Sequence, residues 1–577
     1  MAGKQFSGLW LAAPLCFALA TAGGPLLAQS PPSEDPVSEL AAPEAGPVQV
    51  IEAELESAAD DPAPLTPAEE LALQAEEAAQ AEAAAEAVAP VAAAPPRPAV
   101  VVQMLTVRSV TTGRSAYLSE AEINAGRAAL IGQTLPLTEI AQLSAGFNAL
   151  YEQKGIGLAS ATVASVDIRS GDVRIDFNEP VIGTVEVADG TLASGAVYAR
   201  RLALQQGALA DTREIAARQL RLQRLTGVAL DLTSVDGATA DALDLGFTPS
   251  EPPARSFAVA LDNHGNRATG RERLTLTYAE TSLSGQLDPL SVSLTLARGV
   301  RSVALGYANP LTADGLSLFA SGTLERTRTI TGPAQTTRSH NLELGLSVPV
   351  LVEAERQLVL RGSLQRFQER RLTVGVLTTD QRGTILAFGA TGTRLFDGGA
   401  LSYDQSLRHI RWQDGIFQGG QTTILAGEGS FVHAIGADWQ GFARLGWQTL
   451  QGRNSPAAFR ATLSSPSRVR GYDNAVSSGD AFYFASAQLQ RATPWQMSDD
   501  ANLSLFPFAF VDMGRAYDRA GGVWTAQDGL FSAGVGSALQ LGQRSFGEVV
   551  LAVPLRNANG VSARGRLRAD LRLGLRF

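Results

Sequence analysis

The sequence ends in RLRADLRLGLRF, residues 566–577, and polar and apolar side chains alternate along this stretch. One face carries Leu567, Ala569, Leu571, Leu573, Leu575 and Phe577, and the other carries Arg566, Arg568, Asp570, Arg572 and Arg576. This alternation predicts a β-strand with two unlike faces. A strand of a soluble sandwich also alternates, but four arginines on one face favour a water-filled lumen and an opposite face in lipid. Because backbone groups in lipid must all be hydrogen-bonded, such strands must close into a barrel.

The same alternation recurs from about residue 256 to the C-terminus, with no convincing helix between. Leu342, Leu344, Leu346 and Val348, for example, are separated by single residues. Short turns such as 309–310 and 397–399 alternate with longer polar loops. The pattern indicates roughly sixteen strands, an even number as in bacterial outer-membrane barrels. The predicted fold is therefore mainly β, with a transmembrane antiparallel barrel at residues 255–577.

The longest predicted loop, about residues 451–479, contains the motif Val469, Arg470, Gly471 and Tyr472. A strand-like run further on contains Phe510, Asp512 and Gly514 in the order FVDMG. One arginine on a long loop and one aspartate on a strand suggest a loop that folds back into a cavity and is held by an ion pair. The alternative is that RGY forms a simple turn and that Asp512 merely ends a strand.

Residues 100–250 change to a β-α-α-β-β pattern that appears twice, at 100–178 and at 179–250. In the first copy Ser119 and Glu122 predict a capped helix, and Gly155 predicts the end of a second helix. In the second copy Asp211 and Gly227 predict the two ends of a helix. Each copy has the size of a small α+β domain.

The N-terminal hundred residues differ in composition from the rest. The composition predicts a secretory signal peptide at residues 1–28. It predicts a disordered acidic segment, rich in proline and alanine, at residues 29–65. Thr66 to Glu69 predicts the start of a helix at 66–89, and 90–99 forms a stiff proline-rich linker. Net charge is -10, yet residues 31–100 contain 15 acidic residues and one basic residue, so the remainder is slightly basic.

Composition excludes several kinds of site. The only cysteine, Cys16, lies in the predicted signal peptide, so the mature chain is expected to have no disulfide or Cys metal ligand. The four histidines, at 264, 340, 409 and 433, are not spaced as ligands and are predicted to lie at the surface or in the lumen. No Gly-x-Ser-x-Gly elbow or Walker loop is present, so we expect neither enzymatic activity nor a cofactor.

The order of these parts resembles the two-partner secretion translocators of the outer membrane, of the hemolysin-activator and filamentous-hemagglutinin-transporter type. The resemblance covers about residues 66–577 and rests on VRGY before the twelfth strand, FVDMG on the thirteenth, and residues 262–266 (DNHGN) at the first barrel hairpin. It identifies the two repeats as POTRA domains and the helix at 66–89 as a possible plug helix, for which a solvated spacer helix is the alternative. Residues 178–180 (NEP) depart from the Glu-Gly turn expected between the repeats, which leaves the angle between them open.

The resemblance implies secretion of a large β-rich exoprotein partner, with periplasmic POTRA domains capturing the unfolded chain and the barrel conducting it. It also implies that Phe577 ends a barrel signal read by the barrel-assembly machinery, that the barrel lies in outer-membrane lipid, and that no nucleic acid is bound. An insertase of the same superfamily and a passive porin are the alternative functions. Two repeats, rather than five or three, count against the first, and porins do not need such repeats.

Overall fold

The computed structural model describes residues 103–239, 242–492, 494–496, 503–542, 544–560 and 563–577. The predicted signal peptide, acidic segment, plug helix and linker lie outside the described residues. The described residues form two compact units, one ending at Glu179 and one beginning at Pro180. None of the described helices has the length and hydropathy needed to cross a membrane.

The first unit is a small α+β domain. Its elements are the strands Met104–Thr106 and Ser109–Thr112, the helix Glu120–Leu130, the strand Thr134–Pro136, the 3-10 helix Leu137–Ser144, the helix Ala145–Gln153, and the strands Ser160–Asp167 and Asp172–Asn178. Asp172–Asn178 is the central strand of a three-stranded sheet, parallel to one neighbour and antiparallel to the other. The second predicted helix therefore begins with a 3-10 turn before it becomes α-helical.

The helix Glu120–Leu130 begins with the predicted capping box. Ser119 accepts a hydrogen bond from the backbone of Glu122, and the Glu122 carboxylate accepts one from the backbone N–H of Ser119. These backbone and hydroxyl hydrogen bonds, with an ion pair to Lys154, lower the pKa of Glu122 to about 2. Both hydrogen bonds of the predicted capping box are therefore present.

The second unit opens with a domain that repeats the β-α-α-β-β core of the first, without the short strands Met104–Thr106 and Thr134–Pro136 and without the 3-10 helix. It contains the strand Val181–Val187, the helices Gly195–Leu202 and Thr212–Thr226, and the strands Ala229–Thr239 and Ala242–Ser250. Asp211 caps the second helix at its start, and Gly227, with a φ of 78°, ends it in the left-handed conformation. Both helix-end predictions are confirmed.

A glutamate followed by proline ends each of the two domains. In the first domain Glu179 accepts hydrogen bonds from Ser115, from the backbone of Ala116, and from Tyr151 at 2.7 Å. In the second domain Glu251 accepts them from Thr191, from the backbone of Leu192 and from Tyr198. Burial and this carboxylate raise the pKa of Tyr198. Each glutamate therefore fixes the last residue of its domain to the loop before a helix of the same domain.

The remainder of the second unit is a closed antiparallel barrel of sixteen strands, as predicted. In order the strands are Arg255–Asp262, Arg273–Glu280, Leu290–Ala297, Val300–Pro310, Ser317–Arg328, Gln335–Val352, Arg356–Thr373, Val376–Phe396, Gly399–Asp414, Gly420–Ile435, Trp439–Gly452, Ala481–Arg491, Leu503–Ala520, Leu530–Leu541, Ser545–Pro554 and Arg568–Arg576. Two short pieces, Trp495–Gln496 and Val523–Ala526, also pair with the thirteenth strand. The sixteenth strand pairs with the first and closes the barrel.

The barrel strands are apolar outside and polar inside. On the sixth strand Leu342 and Leu344 are 57% and 55% exposed, whereas Glu343 between them is buried. Such an exposed apolar wall matches a lipid environment. We call the end that holds residues 255 and 577 the near end, and the opposite end, where the loop after the eleventh strand begins, the far end.

Arginines on the second domain's helices attach that domain to the near-end turns of the barrel. Arg201 donates to the backbone carbonyls of Pro310 at 2.6 Å and Thr312 at 2.9 Å. Arg224 donates to the carbonyl of Ala354 at 2.7 Å. The guanidinium group suits this task because its several donors have a fixed geometry. The second domain and the barrel are therefore joined by contacts with three turns, at 281–289, 311–316 and 353–355.

Candidate functional site

The loop between the eleventh and twelfth strands, residues 453–480, is buried rather than solvated. Leu463, Ser464, Val469 and Ser477 have no exposed surface. The loop contains the 3-10 helix Ala457–Phe459 and a two-stranded ribbon that pairs Ala461–Thr462 with Ser478–Gly479. It contacts inward-facing residues of the barrel wall, among them Asp512, Ser486 and Phe484, so the loop folds back into the barrel from the far end.

Arg470 and Asp512 form a two-pronged ion pair between this loop and the thirteenth strand. Arg470 Nε donates to Asp512 Oδ2 at 2.8 Å, and Nη2 donates to Oδ1 at 2.9 Å. The backbone N–H of Arg470 also donates to Oδ2, at 3.0 Å. The side chains are 11% and 0% exposed, so this pair is shielded from water and salt. A bidentate pair of this kind fixes both position and direction.

The twelfth strand and an aromatic ring complete the surroundings of the arginine. Arg470 Nη1 donates to Gln488 at 2.9 Å, and Nη2 donates to Ser486 at 3.2 Å. Ser486 in turn donates to Asp512 Oδ1 at 2.7 Å. The guanidinium carbon lies 3.5 Å from the centroid of the Phe510 ring, a cation–π contact. The first aromatic residue of FVDMG therefore supports the same arginine that its aspartate binds.

The two residues after Arg470 fit against the fourteenth and fifteenth strands. Gly471 has a φ of +86°, and a Cβ at this position would lie 3.1 Å from the Cβ of Ala552. Tyr472 is 2% exposed, and its hydroxyl lies 3.0 Å and 3.1 Å from the carbonyls of Phe531 and Arg556. The same hydroxyl accepts from the backbone N–H of Phe531 at 3.1 Å. Glycine and tyrosine thus have separate steric and hydrogen-bonding reasons to occupy these positions.

Val469 and Gly514 belong to the apolar part of the site. Val469 packs in a buried cluster with Leu463, Phe484 and Leu530. A Cβ on Gly514 would lie 2.9 Å from Leu463 Cδ1 and 2.7 Å from the carbonyl oxygen of Tyr483. The glycine of FVDMG therefore leaves room for the apolar part of the loop.

The first barrel hairpin holds the loop from the other side. Asn474 donates to the carbonyl of His264, and Asn266 donates to the carbonyl of Asn474 at 3.2 Å. Asp473 forms ion pairs with Arg271 and, at 3.1 Å, with Arg568. The structure therefore brings the DNHGN motif and the VRGY motif together. His264 is 3% exposed, so it lies buried beneath the loop rather than at the outer surface.

The predicted arginine face of the last strand is partly corrected. The strand begins at Arg568, and Arg566 lies in the preceding turn, where it is exposed. Arg568 and Arg572 face inward, and Arg576 lies on the same face with its guanidinium 4.6 Å from the Phe546 ring centroid. Arg568 is bound by Asp570 at 2.7 Å. The alternation predicted this face correctly within the strand but placed the start of the strand too early.

Phe577 lies at the seam of the barrel. It exchanges backbone hydrogen bonds of 2.8 Å and 3.0 Å with Phe257 of the first strand, and its ring faces that of Phe257. The side chain is 63% exposed on the outer surface. The C-terminal residue therefore takes part in closing the barrel.

Acidic as well as basic residues line the inner wall. Glu343 and Glu369 are buried there, and Glu428 pairs with Arg444 at 2.6 Å. Within the described residues, no group of histidine, cysteine and acidic side chains is arranged to hold a metal ion. The inner face is thus a mixed polar surface.

Several residues of the site were not predicted from the sequence. Ser486 and Gln488 share one face of the twelfth strand, and this spacing of two was their only sequence signal. Asp473 directly follows VRGY, but its partners Arg271 and Arg568 lie far away in the chain. Only the closed barrel brings these residues together.

The fold and this site define an outer-membrane transport barrel that carries two α+β domains at its N-terminal side and an inward-folded loop. The sequence profile of the haemolysin secretion/activation protein family ShlB/FhaC/HecB matches residues 244–539, so the chain belongs to this family. It is therefore a transporter of the two-partner secretion type, located in the outer membrane.

Solved structures show the same fold. CdiB from Escherichia coli superposes with a TM-score of 0.63 at 18% identity, covering 90% of this chain and 100% of that one. CdiB from Acinetobacter baumannii gives 0.56 at 14% identity, covering 89% and 98%. BamA from Haemophilus ducreyi lacking POTRA domains 1–3 gives 0.51 at 13% identity, covering 82% and 100%. A search of curated proteins found no significant match.

Proposed function

We propose that this chain secretes one large β-rich exoprotein across the outer membrane, from the near end of the barrel to the far end. The observation that carries the proposal is the loop at 453–480, which is held inside the barrel by the Arg470–Asp512 pair in a chain of the two-partner secretion family. The near end then faces the periplasm, together with both α+β domains. No catalytic step is required.

The α+β domains capture the unfolded partner in this proposal. Each has a three-stranded sheet whose outer strands pair on one side only, such as Ser160–Asp167 in the first domain and Ala229–Thr239 in the second. An extended chain adds to such an edge through backbone hydrogen bonds, which depend little on its sequence. The arginine contacts at the near-end turns keep the second domain beside the barrel entrance.

The position of the loop determines whether the interior of the barrel is filled or open to a passing chain. A chain passing through the barrel needs the space that residues 453–480 fill, so the loop must shift as the chain passes. The ion pair and the Tyr472 hydrogen bonds determine the free energy needed for that shift. They form again when the loop returns to its bound position. The lumen-facing arginines and acids offer the passing chain polar contacts on all sides.

The helix predicted at residues 66–89 is proposed to act as a removable plug of the barrel. Its acidic composition and a length near the thickness of a membrane core support this role. Deletion of residues 30–95 is expected to raise single-channel conductance in planar bilayers. An unchanged conductance would contradict the plug.

The test of function is coexpression of this chain with the large β-rich exoprotein encoded beside it. The exoprotein is assayed in medium and periplasm, with and without the chain. Export that requires the chain supports the proposal. Equal export in both strains contradicts it, and a failure of other barrels to insert without the chain would then indicate an insertase.

A further inference from the structure

Four arginines form a row across the outer surface of the barrel near its far end. The backbone register pairs Arg301 with Arg326, Arg326 with Arg338, and Arg338 with Arg370, on the fourth to seventh strands. All four side chains are exposed. Directly paired residues have Cβ atoms about 5 Å apart, so the row places four positive charges within roughly 15 Å.

This arginine row lies at the edge of the lipid-facing wall. Two positions nearer the near end on the same outer face are Val303 and Leu324, which are 42% and 61% exposed. On the next two strands the apolar surface begins further from the row, at Leu342 and Leu364, which are 57% and 58% exposed. The outer-face residues between them and the row are polar: His340, Gln368 and Arg366. The row therefore borders the apolar membrane core on the fourth and fifth strands, and on the sixth and seventh strands it lies beyond that core, among polar residues at headgroup level.

Few acidic side chains of the protein neutralise the positive charge of the arginine row. Asp380 lies 3.4 Å from Arg370, at one end of the row. Within the described part of the chain, Arg301, Arg326 and Arg338 have no side-chain hydrogen bond or ion pair. Like charges in directly paired positions destabilise a sheet. An anion from outside the chain would remove this repulsion.

The chemistry of the row favours phosphate. The guanidinium group binds a phosphate through two parallel hydrogen bonds, which an ammonium group cannot do. Lys4 and Lys154 are the only lysines of the chain, and neither lies in the barrel. Further outward-facing arginines at neighbouring positions extend the basic surface: Arg328, Arg366, Arg382 and Arg411.

We propose that the arginine row binds the phosphate groups of lipid headgroups in the leaflet that surrounds the far end. With the orientation proposed above, this is the outer leaflet, and its ligand is a phosphorylated glycolipid. Lipid bound at this site would keep the fourth to eighth strands of the barrel at a fixed depth in the membrane. It is separate from the loop site, which lies inside the barrel.

The test uses the purified full chain in detergent, titrated with lipid A and followed by native mass spectrometry. The variant R326Q/R338Q removes two charges from the middle of the row. The matched control is R356Q/R394Q, because Arg356 and Arg394 are also exposed and directly paired, but at the near end. Heat-modifiable mobility on gels confirms that each barrel is folded.

We expect R326Q/R338Q to bind lipid A about 30-fold more weakly, with each basic side chain contributing about five-fold. The control should bind lipid A within about twofold of the wild type. R326K/R338K keeps the charge but loses the bidentate guanidinium groups, so its affinity should lie between those of the wild type and R326Q/R338Q. Unchanged binding in R326Q/R338Q, or an equal loss in the control, would overturn the proposal. Displacement of lipid A by inorganic phosphate at equal phosphate concentration would also overturn it, by assigning the row to a free anion. None of these outcomes depends on secretion activity.

Discussion

Replacement of Arg470 by alanine is expected to release the loop from its seat in the barrel. The substitution removes both prongs of the pair and leaves Asp512 with 0% exposed surface and without its cation. Ser486 and the backbone N–H of residue 470 remain as hydrogen-bond donors to that carboxylate, but no positive charge faces it. Removing one partner of a buried ion pair costs about 3–5 kcal/mol. The free energy of loop release should therefore fall by about this amount.

The assay is the rate at which a cysteine at position 469 reacts with a maleimide. Val469 has no exposed surface in the seated loop, and the only natural cysteine is Cys16. A V469C chain therefore reports the transient release of the loop. A loss of 3–5 kcal/mol corresponds to a reaction roughly 10²- to 4 × 10³-fold faster in V469C/R470A than in V469C alone. Rates within about twofold of each other would show that the Arg470–Asp512 pair does not hold the loop in the barrel.

The V469C chain also allows a double-mutant cycle of Arg470 and Asp512. D512A removes the only carboxylate that binds Arg470 and leaves the neutral partners Gln488, Ser486 and the Phe510 ring, so it should also speed labelling. In R470A/D512A no buried charge is left alone, so the combined effect should be smaller than the sum by at least about 1 kcal/mol. Strict additivity would show that the two residues act independently.

Two further substitutions test contacts next to Arg470, and a third tests a helix cap in the first domain. Y472F leaves buried backbone groups without their hydroxyl partner and should lower barrel stability by about 1–3 kcal/mol, measured as an earlier heat-modified gel shift. G471A forces alanine into a left-handed conformation, at about 1–2 kcal/mol, and against Ala552, so V469C labelling should rise about tenfold or more. Because the pKa of Glu122 is lowered to about 2, its capping contribution is complete above pH 4.5 and is lost as pH falls towards 2. Hydrogen exchange of the helix Glu120–Leu130 should show this loss in the wild type and not in E122Q.

The architecture could be predicted because its signals are local. Period-two alternation depends on neighbouring residues, so the sixteen strands and their inner and outer faces follow from the chain itself. Helix ends were equally local: Ser119, Asp211 and Gly227 occupy the cap positions expected of them. The predicted start of the last strand was too early at Arg566, because alternation continues into the turn before the strand begins.

The site was only partly predictable because its contacts join distant residues. Arg470 and Asp512 stand out as single charged residues in otherwise neutral motifs. Asp473 and its partner Arg271 give no such signal, since their pairing depends on barrel closure and on the path of the loop. The arginine row is likewise invisible until the register aligns four separate strands.

The most direct test of the account measures secretion of the exoprotein by R470A and D512A chains at equal levels of folded barrel in the outer membrane. R564A serves as the control, because Arg564 is exposed and lies in the loop before the last strand. We expect strongly reduced secretion by R470A and D512A, with normal barrel insertion and with R564A as active as the wild type. Wild-type secretion by both pair variants would contradict the claim that the seated loop controls the conduit.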